Sequence, residues 1–200
     1  MAPVPLQARL IAPSEHGRGL CFVWKYRSRL FFIETDSMNA WYLGIDSVGG
    51  LLQQIPLSGA ATRGGKLLFG AVWSLDAGDG TDDKCVFVTN LGEVLIFSGT
   101  NPAEATGWRQ EGRYTLSAPL GMNAHLAIGG DLLIMTVDGV IPLSQAITKE
   151  AGQLELAMLT RTIKPLWRES GHGQTVVSVE RQAMVRIRRG VRGYPRRSAW

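Results

Sequence analysis

Two hundred residues with 19% charged side chains and a formal net charge of +4 make a chain long enough to bury a sizeable core. No apolar run reaches the roughly 18 residues that a membrane-spanning helix needs. Cys21 and Cys85 are too few for a disulfide framework and stand in no Cys/His spacing that would hold zinc, so both are expected as buried free thiols.

The chain opens with "MAPVPLQARLIAPSEHGRG", residues 1–19, read as an N-terminal extension. It lacks the charged and long apolar regions of a secretion signal, so the protein is expected to be made and assembled in the cytoplasm. A repeated β body follows over residues 20–143. "RLFFIETDSMNAWYLGI" (29–45) has an apolar strand, a polar turn and a second strand. "KCVFVTNLGEVLIFSGT" (84–100) repeats the pattern around Gly92, and "DLLIMTVDGVIPLSQA" (131–146) repeats it around Asp138-Gly139. Asp-Gly and Asn-x-Gly steps between β-branched and aromatic runs are strong hairpin signals.

A threonine closes the first strand of each hairpin: Thr35, Thr89 and Thr136, separated by 54 and 47 residues. That separation suits a blade-sized repeat. Further strands are expected at 51–57, 66–75, 108–117 and 124–130, giving about four strands per unit. The fold class is therefore mainly β, with propeller-like antiparallel blades in a partial or open array, since three units are too few to close a usual propeller.

After the β body, residues 144–170 place Ile147, Ala151, Leu154, Met158, Leu159, Ile163 and Trp167 at three- and four-residue steps. This predicts a C-terminal amphipathic helix packed on the edge of the β body, with Pro165 ending or kinking it. Residues 171–200 form an Arg-rich tail. Its last 21 residues hold seven arginines against one acid, Glu180, and so supply all of the net positive charge. Such a tail is expected to be extended or disordered and able to contact nucleic acid non-specifically through phosphates.

The most acidic stretch is "SLDAGDGTDD", residues 74–83. Asp76, Asp79, Asp82 and Asp83 are the candidate metal ligands, of a Ca²⁺ type, although their spacing does not match an EF-hand loop. Paired carboxylates can also serve as acid and base across a cleft. The favoured reading is a solvated connection in which Asp and Gly supply turn geometry. His16, His125 and His172 are scattered, and no nucleophile or phosphate-loop motif is found, so no catalytic residue and no cofactor are assigned. Trp24, Trp41, Tyr42, Trp73 and Trp108 are expected mainly in the core, with a carbohydrate-stacking surface as the alternative.

Three segments resemble a family of bacteriophage and prophage virion proteins: the "NAWYL" strand followed by "IDSVGG", the "WSLDAGDGTDD" connection, and the "DGVIPLSQA" hairpin running into a helix. The chain looks similar to β-propeller-like nozzle or tubular tail proteins of the tail and head–tail region over residues 20–167. The resemblance implies a non-enzymatic structural protein located in the virion, forming a homo-oligomer with other phage virion proteins as partners and no membrane. The chain is short for that family and its arginine-rich ending departs from it, which implies a truncated form. Two other classes stay open at this point: a carbohydrate-binding or adhesin-like propeller, and a hydrolase using the carboxylates of 76–83.

Overall fold

The computed structural model describes residues 19–74, 83–104, 106–148 and 158–160. Among them, short apolar runs broken by turns form three open antiparallel sheets. Sheet A is the meander β1 (Leu20–Tyr26), β2 (Arg29–Glu34), β3 (Asn39–Tyr42) and β4 (Gln53–Pro56). Sheet B repeats it with β5 (Leu67–Trp73), β6 (Lys84–Thr89), β7 (Glu93–Gly99) and β8 (Trp108–Thr115). Sheet C holds β9 (His125–Ile128), β10 (Asp131–Thr136) and β11 (Gly139–Pro142), with β10 in the middle, and a short helix α1 (Leu143–Thr148) follows.

The burial pattern explains how the sheets stack. In β6 every residue after Lys84 is buried, which a strand shows only when both faces of its sheet are covered. Cys85 and Phe87, with Leu95 and Phe97 of β7, point into a core shared with Phe31, Ile33 and Tyr42 of sheet A. Val86 and Val88, with Val94 and Ile96, point the other way, into a core shared with Leu132, Ile134 and Ile141 of sheet C. Sheet B is therefore the middle layer.

Close fit at the first interface depends on Gly70. A side-chain carbon there would come within 2.4 Å of the Trp24 indole, so glycine is what lets that ring lie flat against β5. Phe87 meets the same ring edge-on at 5.4 Å, a favoured aromatic geometry.

The strands expected over 51–57, 66–75, 108–117 and 124–130 appear as β4, β5, β8 and β9. Three expectations change. First, β1 precedes the first expected hairpin, joined to β2 by a turn at Arg27 and Ser28 with φ of 43° and 57°. Those left-handed values suit the twist of a two-residue hairpin, but neither residue is a glycine or asparagine to advertise it. Second, the threonine ladder is out of step in sheet A, where β2 ends at Glu34 and Thr35 lies one residue beyond. The three equivalent strands each have six residues and end on buried Glu34, Thr89 and Thr136.

Third, the helix expected over 144–170 is not continuous. Residues 158–160 are not helical, and the described part of the helix is α1, Leu143–Thr148. The Leu159 N–H donates to the Val140 carbonyl at 3.0 Å, and the Val140 N–H donates to Thr160 Oγ1 at 3.1 Å. An exposed strand edge carries unsatisfied backbone groups, and at β11 these three residues satisfy some of them while Met158 enters the core. The rest of the expected helix (149–157 and 161–170), the extension over 1–18 and the tail over 171–200 lie outside the described residues.

Candidate functional site

The aspartate run connects β5 to β6 inside sheet B. Its two feet are tied together, because the Ser74 hydroxyl donates to the Asp83 carboxylate. The Asp83 carbonyl accepts from the Tyr26 hydroxyl at 3.0 Å, and the Gly99 carbonyl lies 2.9 Å from the same hydroxyl. One phenol of sheet A is thus shared between two carbonyls of sheet B. Burial pushes the Tyr26 hydroxyl up to about 12 from its ordinary 10.0, so it stays a neutral donor. Asp76, Asp79 and Asp82 lie outside the described residues. Of the four candidate metal ligands, the structure thus places Asp83, at the base of the loop. Among the described residues, no three His, Cys, Asp or Glu side chains gather as a metal-binding group.

Beside Tyr26, Arg29 is 8% exposed and spends its donors on main chain rather than on a carboxylate. Its Nε donates to the Thr100 carbonyl at 3.2 Å and a terminal nitrogen donates to the Leu43 carbonyl at 3.3 Å. The guanidinium also lies 5.5 Å from the centre of the Tyr42 ring. These contacts bind sheet A to the end of sheet B.

A second polar anchor closes the linker between the two sheets. Glu93 is fully buried at the start of β7 and accepts from the Thr62 N–H at 2.9 Å, the Thr62 hydroxyl at 2.8 Å and the Arg63 N–H at 3.1 Å. Burial alone would raise its pKa. The hydrogen bonds from Thr62 and Arg63, with Arg113 nearby, outweigh that and hold the carboxyl below its usual range. The charge therefore organises a connecting loop.

The first strands of the three sheets meet at one ring cluster. His125 of β9 stacks on Phe69 of β5 at 4.5 Å and meets Phe22 of β1 edge-on at 5.9 Å. Burial lowers the His125 pKa, partly offset by a backbone hydrogen bond to Met122, which favours the neutral ring. Cys85 and Cys21 are both free thiols; Cys85 is buried as expected, whereas Cys21 is only partly buried. Burial pushes the Cys85 thiol well up, against a smaller opposing effect from the Trp24 indole, so it is a packing group and not a ready nucleophile.

The aromatic residues largely serve the core. Tyr42 and Trp73 are buried, and Trp24 and Trp108 pack against the cluster between sheets A and B. Exposed apolar surface lies elsewhere. The outer face of sheet C carries Leu126, 49% exposed and directly opposite Leu133, with Ile128 at 58% exposed on the same face. The loop between β3 and β4 presents Ile45, Val48 and Leu51 to solvent. On the outer face of sheet A, Val23 is 54% exposed and stands in a cross-strand row with Phe32 and Trp41.

The anchors Tyr26, Arg29 and Glu93 and the exposed apolar faces were not singled out from sequence. Tyr26, Arg29 and Glu93 matter because of partners 30 to 73 residues away, to which no local pattern points. No protein-family model matches the chain, and no curated protein matches it either.

Proposed function

We propose that this chain is a non-enzymatic structural subunit of a phage virion, belonging to the tail or head–tail connector region, and that its three sheets are successive blades of a propeller-like array. The observation that carries this reading is the polar stacking of the sheets. Sheet B meets sheet A with one face and sheet C with the other, and is buried on both. A series built that way has two unfinished ends, as a part of a larger symmetric assembly has.

The side-chain chemistry supports the same reading. The buried carboxylate Glu93, the buried guanidinium of Arg29 and the Tyr26 phenol are all committed to main-chain groups that fix one sheet on the next. The resemblance of the "NAWYL", "WSLDAGDGTDD" and "DGVIPLSQA" segments to tail-region proteins supplies the viral context.

Gene order tests this context directly. Portal, terminase or other tail genes are expected beside the gene for this chain, and a locus without any phage gene overturns the viral reading.

A further inference from the structure

The stack has a direction that can be read residue by residue. In the six-residue strands β2, β6 and β10, the third and fifth residues are Phe31 and Ile33, Val86 and Val88, and Leu133 and Met135. In sheet A this pair meets sheet B, and in sheet B it meets sheet C. In sheet C it lies on the outer face, beside exposed Leu126 and Ile128.

The second and fourth residues run the opposite way. Leu132 and Ile134 of sheet C meet sheet B, and Cys85 and Phe87 of sheet B meet sheet A. Their counterparts in sheet A, Leu30 and Phe32, lie opposite to the pair that meets sheet B, in the row shared by Val23 and Trp41. The open face of sheet C is thus equivalent to the face of sheet B that receives a following sheet. The outer face of sheet A is equivalent to the face that docks on a preceding one.

From this continuity we infer that the outer face of sheet C binds the outer face of sheet A from a second copy of the chain, extending the stack head to tail. The contact is heterologous, and it can close on itself. Two copies bring twice the three sheets of one chain, which falls within the roughly four to eight blades of closed propellers. The surfaces are chemically matched. Leu126, Ile128, Leu133 and Met135 form an apolar patch of the kind that monomers seldom leave in water. Val23, 54% exposed, and half-buried Trp41 offer an apolar row over the buried Phe32 to cover it, with Lys25 at its margin. The inference rests on the stacked-blade part of the proposed function and not on the viral context, so it can fail while the gene-order test succeeds, and the reverse.

The test uses the full chain and two single variants, Ile128→Glu on sheet C and Val23→Glu on sheet A. Light scattering after size exclusion, at tens of micromolar protein, is expected to give the wild type a mass at least twice 21.8 kDa. Each glutamate variant is expected to lose most of its closed assembly while keeping the β-sheet circular dichroism spectrum and a cooperative melting transition. A charge removed from water in an apolar contact is strongly unfavourable.

Mixing the two variants then decides the geometry. Each has one intact face, and in a head-to-tail contact the sheet C of Val23→Glu still fits the sheet A of Ile128→Glu. The mixture is expected to form a two-chain complex that neither variant forms alone. Three results overturn the inference: a wild type that is monomeric, whether its face is open or covered by its own residues 161–200; an assembly that neither variant weakens; and variants that dissociate alone but do not recombine.

Discussion

Sheets B and C contain the same kind of antiparallel hairpin, β6–β7 and β10–β11, but one is a core element and the other partly a surface. In β6 five consecutive residues are buried, whereas β10 alternates buried and half-buried positions along its length. The residue types hardly differ: "CVFVT" and "LLIMT" are both apolar runs ending in threonine. Whether a neighbour is present decides burial. An apolar strand therefore reports its capacity to be covered on both faces, and the third sheet has that capacity partly unused.

Truncating one buried and one exposed apolar side chain on the two sides of this contrast sharpens it most. Phe87 is fully buried, touching Trp24 across the first interface and Phe97 within its own sheet. Phe87→Ala is expected to destabilise the fold by about 3 to 5 kcal/mol, the usual cost of removing a core phenylalanine. Leu126→Ala, on the outer face of sheet C, is expected to cost under about 1 kcal/mol, because the half-exposed side chain leaves no closed cavity. Urea denaturation of both variants at a concentration where the chain is monomeric measures the difference. Equal losses would show that the two sheets are buried alike.

A smaller effect, and one that depends on pH, is expected at the polar joint between sheets A and B. Glu93→Gln keeps the shape but replaces an anion that receives three hydrogen bonds from Thr62 and Arg63. Hydrogen bonds to charged groups contribute about 1.5 to 3 kcal/mol, and the variant is expected to lose an amount in that range. Arg113, 42% exposed and 3.5 Å away, adds little because water screens it. The folded pKa is depressed, so the stabilisation is complete above the ordinary value of 4.5 and is lost as pH falls below it through the folded value. The gap between wild type and Glu93→Gln should therefore narrow as pH falls below 4.5. A gap independent of pH would mean that the charge is not what holds the linker.

The contrast between sheets also explains what could be read from the sequence. The recurring hairpin, the strands β2 to β11 and the β-rich class were legible because alternating and continuous apolar runs are bounded by Gly, Asn and Asp turns. β1 was not, since its turn uses Arg27 and Ser28. The three-to-four-residue spacing after Ser144 suggested one long helix, but Met158 and Leu159 owe their places to the edge of β11. An apolar residue near a strand edge and one on a helix face look the same in sequence. The direction of the stack was hidden for a similar reason, because a continuous apolar strand does not say which of its faces meets which neighbour.

The smallest expected effect concerns the turn that concealed β1. A different turn, β6–β7 of sheet B, uses left-handed backbone at Gly92, φ 79°, where a side-chain carbon would fall 2.3 Å from the Leu116 carbonyl oxygen. Sheet A places Ser28 at φ 57° with its side chain exposed, so it carries the conformational strain without a packing reason. Ser28→Gly is expected to stabilise the fold by about 0.5 to 1 kcal/mol, since the relief of strain exceeds the extra freedom of glycine in the unfolded chain. Gly92→Ser is expected to destabilise it, because there the strain is joined by a clash with backbone. Thermal melts of the pair should therefore move in opposite directions. If Ser28→Gly lowers the melting temperature instead, the Ser28 side chain has a contact in the assembled protein, and the open end of sheet A would extend to the β1–β2 turn.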